Sequence, residues 1–147
     1  MALADREFVF DGSAAWTVGY ALRVLNAKGC AAAVAPTLSA LTASLNPVPR
    51  EWLGDRLTIL WAMFMASRTT TDVDAMTLWL AEHLRLLGDL PHDIVAKAID
   101  RAIQAAKHGF IPSIGEVRAI AEPLVAHRER MAERLKLIGA AAVASAQ

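Results

Sequence analysis

The stretch from Trp79 to Ala121 alternates helix-forming segments with residues that end and begin helices. Its first helix is expected to end at Gly88, in the left-handed conformation that glycine commonly adopts after a helix. The next helix is expected to begin at Pro91, because proline is favoured in the first helical turn. That helix should end near His108-Gly109. These closely spaced signals for the ends and starts of helices predict a compact helical module.

The end of this stretch carries a second start signal. Ser113 and Glu116 have the spacing of a capping box, in which each residue satisfies the backbone N–H of the other. A further helix should therefore open at Ser113. Pro123 lies about ten residues later and should kink or split that helix, since proline removes a hydrogen bond from the helix interior.

Composition favours an all-α fold. The chain is 55% apolar and only 6% aromatic, and alanine, which has the highest helix propensity, supplies much of the apolar share. We predict a small bundle of about four to five helices with an N-terminal helical arm or extension. Residues 1–47 would form that extension with short helices, residues 48–122 a helical core domain, and residues 123–147 a C-terminal amphipathic helix with a frayed alanine-rich end.

Helical periodicity indicates which residues form the core. Apolar side chains recur on one face of the first helix of the core domain and again on a later one. The first set is Leu53, Leu57, Leu60, Trp61 and Phe64, and the second is Val95, Ala98, Ile99, Ala102, Ile103 and Ala106.

Charge balance and cysteine content indicate which classes of function and which cellular compartment to expect. The 15 Lys and Arg balance the 15 Asp and Glu, which disfavours a dominant nucleic-acid role, because such proteins usually carry a basic excess. The single cysteine, Cys30, has no partner in the chain for a disulfide, which suits a reducing compartment. The first ten residues lack the apolar core of a signal peptide. A cytoplasmic location is expected.

The motifs of common catalytic sites are missing from the sequence. The four histidines do not lie in metal-ligand patterns, there is no glycine-rich phosphate loop, and a capping role already explains Ser113. We therefore expect a protein without enzymatic activity, metal or cofactor.

Five residues are candidates for binding a partner. Lys97, Arg101 and Lys107 lie on or near the polar face of one predicted helix, where they would contact an acidic partner or a DNA backbone, or would simply be solvated beside neighbouring aspartates. Arg118 lies on the helix that follows. Trp16 lies in the N-terminal segment, where an exposed aromatic side chain would suit a binding anchor.

The order of these signals resembles a known family. The residues that carry the resemblance are Leu87–Pro91, Asp93–Val95, Ala98-Ile99, Phe110–Ile114 and Glu116–Arg118. They are similar to the signature of phage and prophage replication proteins of the helicase loader/inhibitor type, the replisome organisers. Ile111 stands where that family commonly has a proline. The resemblance covers roughly residues 50–122.

The resemblance implies a protein that binds the host's hexameric replicative helicase, holds it inactive and hands it to an origin complex. The known loader contacts the helicase through a segment at its C-terminal side, whereas the unusual extension here is residues 1–47, so no contact residue is carried over. Two other functions remain open. One is a nucleic-acid-binding regulator in which two helices form a helix-turn-helix. The other is a phage structural or assembly protein that forms homo-oligomers through the His127–Leu137 helix or the N-terminal arm.

Overall fold

The computed structural model of the chain describes residue 9 and residues 13–65 and 72–147. These residues form six α-helices and, between the first two of them, a short 3₁₀ turn at Ala31–Ala33. The helices are α1 (Val18–Ala27), α2 (Val34–Ala43), α3 (Arg50–Met65), α4 (Val73–Leu87), α5 (His92–Ala105) and α6 (Ile114–Ser145). No β-strand occurs in the described part of the chain, and the predicted all-α class is confirmed.

The described residues divide into two compact units. We call residues 46–65 and 72–125 the central unit, and residues 9, 13–45 and 126–147 the terminal unit. Helix α6 begins in the first and ends in the second. Both an early and a late part of the sequence therefore contribute to the terminal unit.

The central unit is built on the predicted apolar stripes. Leu53, Leu57 and Leu60 of α3 are buried, as are Val95 and Ile99 of α5. Burying a side chain of this size stabilises the fold by about 1.5–3 kcal/mol. The other large predicted residues of α3, Trp61 and Phe64, are half-buried, and Phe64 packs against the same core. The 3.6-residue period therefore located the core correctly.

A short backbone contact sets the start of α3 against the start of α5. The Val48 N–H donates to the Leu90 carbonyl oxygen at 2.8 Å, and Pro47 and Pro91 form an isolated antiparallel bridge. Trp52 and His92, in the first turns of the two helices, have their ring centroids 4.3 Å apart. Pro47, before α3, and Pro91, before α5, therefore lie next to each other where the two helices begin.

Gly88 does not adopt the predicted left-handed conformation. Its φ of −70° and ψ of −13° are those of a right-handed helix, so that expectation is wrong. A Cβ atom at this position would lie 2.6 Å from the Leu84 carbonyl oxygen. Glycine is required here by the close approach of the backbone rather than by the sign of φ.

Helix α5 ends earlier than predicted, at Ala105, and the left-handed residues come after it, at His108 and Gly109. Ser113 then opens α6 as expected. Pro123 lies inside α6, which is assigned as one helix from Ile114 to Ser145. Of the two outcomes predicted for Pro123, a kink or a split, the split does not occur, because a proline removes only one hydrogen bond from a helix.

The terminal unit has its own apolar core. Its largest buried side chains come from α1, α2 and the later part of α6: Leu25, Leu41, Leu135 and Ile138. The Arg128 guanidinium donates to the Ser44 carbonyl oxygen at 2.9 Å, which satisfies a carbonyl just beyond the end of α2. The described residues of the N-terminal segment and of the C-terminal helix therefore pack on each other.

Within residues 9, 13–65 and 72–147, no single helix is long and apolar enough to span a membrane, and only the bent pair Val18–Ala27 and Ala31–Ala43, taken together, meets the criteria of length and composition.

Candidate functional site

Two of the residues that carry the resemblance, Asp89 and Arg118, form a junction between the α4–α5 loop and α6. Arg118, in the first turns of α6, donates to both carboxylate oxygens of Asp89 at 2.9 and 3.2 Å. It also donates to the Leu86 carbonyl oxygen at 2.6 Å and to Glu122 at 3.0 Å. Because the last carbonyls of a helix lack partners within it, Arg118 caps the end of α4 while it binds the α4–α5 loop.

The electrostatics of this junction are those of a partly exposed ion pair. The side chain of Arg118 is 29% exposed and that of Asp89 is 64% exposed. The hydrogen bonds from Arg118 lower the pKa of Asp89, and those to Asp89 and Glu122 raise the pKa of Arg118. Solvent screening keeps the contribution of such a pair small, so we assign the junction to positioning of the loop more than to stability.

The capping box completes the junction. The Ser113 N–H donates to the Glu116 carboxylate at 2.7 Å, and the Glu116 N–H donates to the Ser113 hydroxyl at 3.1 Å. The prediction of a capping box is confirmed. The backbone N–H of Ser113, and after it the Ser113 hydroxyl, lower the pKa of the Glu116 carboxyl. The two hydrogen bonds between Ser113 and Glu116 thus fix the start of α6.

The five predicted partner-binding residues lie in different parts of the chain, four in the central unit and Trp16 in the terminal unit. Lys97 and Arg101 are exposed on α5, and Lys107 is exposed in the turn that follows it. Arg118 is engaged in the junction described above. Trp16 belongs to the terminal unit, where it is half-buried against the core and lies beneath the guanidinium of Arg134.

The contacts of these residues bear on their proposed roles. The distance from the Trp16 ring centroid to the Arg134 guanidinium carbon is 4.0 Å, which is cation–π geometry. On α5, the carboxylate of Asp100 accepts a hydrogen bond from Arg56 at 2.6 Å. Part of its negative charge is therefore balanced by Arg56 and not by Lys97 or Arg101. A role of Trp16, Lys97 and Arg101 in partner binding stays a prediction.

Sequence reasoning missed an aromatic stack in the central unit. The ring centroids of Trp61 and Trp79 are 5.3 Å apart, and those of Trp79 and His83 are 3.8 Å apart with nearly parallel planes. These residues join α3 to α4. The spacing of Trp79 and His83 by four residues was visible in the sequence, but their pairing with Trp61 depends on how the two helices pack.

His83 is the buried titratable group of this stack. It is only 6% exposed. Its Nδ1 lies 2.8 Å from the Trp79 carbonyl oxygen, and since a carbonyl only accepts, the proton of the neutral ring is on Nδ1. Nε2 is buried without a hydrogen-bond partner among the described residues. Burial lowers the pKa of His83, more than the hydrogen bond to Trp79 raises it.

A turn at the end of α5 was also missed. It runs from Lys107 to Phe110 and presents a phenylalanine that is 66% exposed. The His-Gly pair before the phenylalanine was the available signal, because Gly, and less often His, accepts the left-handed conformation. The sequence predicts that His108 and Gly109 lie at the end of α5 itself, whereas the helix ends at Ala105.

The described residues bring no three His, Cys, Asp or Glu side chains into a group able to hold a metal ion. Cys30 is a partly exposed free thiol that donates to the Lys28 carbonyl oxygen at 3.4 Å. No family model, no curated protein and no solved structure matches this chain.

Proposed function

We propose that this protein is a non-enzymatic accessory protein of phage-type DNA replication, which binds a hexameric replicative helicase and regulates or loads it. The observation that carries the proposal is the junction of Asp89, Ser113, Glu116 and Arg118. These residues belong to the segments that resemble the loader/inhibitor family. Contacts between Asp89 and Arg118 and between Ser113 and Glu116 support the proposal, because each pair joins residues of that signature.

The surface of the central unit also favours a protein-binding role. Ile59 and Met63 of α3 are 50% and 56% exposed, and their spacing of four residues places them on one face of the helix. Phe110 adds an exposed aromatic ring. Apolar side chains in the core of an interface supply much of the energy of association. A cytoplasmic location, where a bacterial replicative helicase acts, belongs to the same proposal.

The contacts of Arg118 argue against the nucleic-acid alternative. A helix-turn-helix built from α5 and α6 would need basic side chains on α6 to reach the DNA. The guanidinium of Arg118 instead donates to Asp89, Leu86 and Glu122. The balanced net charge supports the same conclusion.

The core of the terminal unit argues against assembly through the 127–137 segment. Met131 and Leu135 lie on the apolar face of that part of α6, and both are buried within the terminal unit. An oligomer formed through this face would first have to open the unit.

The proposal is tested by size-exclusion chromatography with light scattering on the protein alone, on a bacterial hexameric replicative helicase, and on their mixture. We expect a complex that elutes before the helicase, together with a changed rate of ATP hydrolysis by the helicase. Separate elution and an unchanged hydrolysis rate, over a range of concentrations, contradict the proposal. The mass of the protein alone tests the homo-oligomer alternative in the same experiment.

A further inference from the structure

The turn between α5 and α6 has a well-defined backbone. The Phe110 N–H donates to the Lys107 carbonyl oxygen at 3.2 Å, and the two residues between them, His108 and Gly109, have φ values of 58° and 69°. Two successive positive φ values closed by this hydrogen bond are the mark of a type I′ turn. The turn therefore brings Lys107 and Phe110 next to each other at its base, with His108 at its tip.

This turn holds a residue in an unfavourable conformation. His108 is the one non-glycine residue with positive φ in the described part of the chain. The left-handed region is unfavourable for an L-residue, because its Cβ atom comes too close to the following carbonyl oxygen. A second glycine or an asparagine would fit this position more easily. Strain of this kind persists where the surrounding structure enforces it, and an observed outlier is a reason to look for a function.

Phe110 is exposed, but it is presented from a fixed base. Pro112 is buried, Ile111 packs against the core of the central unit, and Ser113 is held by the capping box. Phe110 thus lies three residues before Ser113, which caps α6, and at the end of a hydrogen-bonded turn. A backbone held in this way loses little conformational entropy on binding. Phe110 has the properties of an anchor residue, which fills a pocket on a partner.

The charges around the turn indicate the kind of pocket. The sequence contains no carboxylate between Asp100 and Glu116. These two flanking carboxylates are already engaged, by Arg56 and by the backbone of Ser113. The exposed side chains of Arg101, Lys107 and His108 lie within this interval. Phe110 therefore lies in a segment that contains the cations of Arg101 and Lys107 and no carboxylate, which fits an apolar pocket with an acidic rim.

Single-stranded nucleic acid also stacks on exposed aromatic rings beside cations, but it needs a basic groove that follows the strand. The outer face of α5 mixes Lys97 and Arg101 with Asp93, and the net charge of the chain is zero. These observations favour a protein.

We propose that the turn Lys107–Phe110 is the docking anchor through which the central unit binds its partner, with Phe110 filling an apolar pocket rimmed by carboxylates on the hexameric helicase. This inference rests on the proposed function, because it takes the helicase as the partner.

The test measures the affinity of the immobilised helicase hexamer for the wild-type protein and for three variants. Phe110→Ser removes the anchor and Lys107→Glu inverts the adjacent charge. Leu78→Ser is the matched control, since Leu78 is also 66% exposed and also lies in the central unit, on α4. Thermal unfolding of each variant shows that the fold is kept.

We expect Phe110→Ser to weaken binding by about thirtyfold or more, as truncation of a hot-spot aromatic residue does. Lys107→Glu should slow association and remove most of its dependence on salt. Leu78→Ser should bind like the wild type.

Other outcomes overturn the inference in distinguishable ways. If the wild type binds the helicase and Phe110→Ser binds equally well, the docking anchor is wrong while the proposed function stands. If the wild type does not bind the helicase at all, both are wrong. If a labelled oligothymidylate binds the wild type and is lost in Phe110→Ser, the turn is a nucleic-acid site and not a protein anchor.

Discussion

Lowering the pH through the range in which histidine titrates should destabilise the central unit, because His83 is held in its neutral form. Its ring stacks on Trp79 at 3.8 Å, its Nδ1 proton is committed to the Trp79 carbonyl oxygen, and its Nε2 is buried. A proton on Nε2 would place a positive charge in an apolar environment with no acceptor for it among the described residues. Such burial is costly unless the charge is paired.

The sign and size of the effect follow from linkage. In the unfolded chain His83 should titrate near about 6.5, and burial lowers its pKa in the folded state. Below about pH 6.5 the unfolded chain therefore binds a proton that the folded chain does not. The free energy of unfolding should fall by up to about 1.4 kcal/mol for each pH unit until the folded-state pKa is reached. The carboxyls of Asp89 and Glu116, whose pKa values are lowered, lose their contribution only in the more acidic range where carboxylates protonate.

The assay is urea unfolding followed by tryptophan fluorescence, repeated between about pH 8 and about pH 5. His83→Phe keeps an aromatic ring for the stack and removes the titration, so its stability should depend less on pH than that of the wild type. An NMR titration of the His83 ring gives the folded-state pKa directly. Identical pH dependence in wild type and His83→Phe, or a His83 pKa at or above that of a model peptide, would refute the reasoning.

Four further substitutions test local features, three of them in the central unit and one, Gly19→Ala, in the terminal unit. Ser113→Ala removes the capping hydroxyl and should cost about 1 kcal/mol in urea unfolding; no loss would mean that the box is formed only weakly in solution. Gly88→Ala should cost about 1–3 kcal/mol, because its Cβ would meet the Leu84 carbonyl oxygen, whereas Gly19→Ala, which meets nothing within 4 Å in α1, should stabilise by up to about 1 kcal/mol. Asp89→Asn should lower the thermal stability by about 1 kcal/mol or less while it speeds hydrogen exchange in the α4–α5 loop, and unchanged exchange there would contradict the positioning role of the junction.

Local patterns predicted the helices and the central core well, for a physical reason. The stripe of Leu53, Leu57 and Leu60 and the capping box at Ser113 depend on residues within one or two turns of each other. Their signals are therefore complete within a short window of sequence. The all-α class followed from these repeated local signals and from the alanine content.

Contacts between distant residues were beyond such reasoning. The sequence makes Arg118 a candidate for binding a partner. Its contact with Asp89, 29 residues away, has no local signal in the sequence. The same limit applies to the stack of Trp61 with Trp79. Gly88 was assigned the correct place at a helix end but the wrong conformation, since the approach of the Leu84 carbonyl oxygen is a property of the folded backbone.

The core of the terminal unit combines Leu25 and Leu41 with Leu135 and Ile138, and this has a consequence for biosynthesis. As the chain leaves the ribosome, α1 and α2 emerge first, with apolar faces that have no covering helix yet. The central unit, whose residues are consecutive in the sequence, can fold before the later turns of α6 are synthesised. The terminal unit is completed only when the later turns of α6 emerge. A ribosome stalled near Val125, or a nonsense mutation there, would release a chain with a finished central unit and an uncovered hydrophobic surface, which is a target for chaperones and proteases.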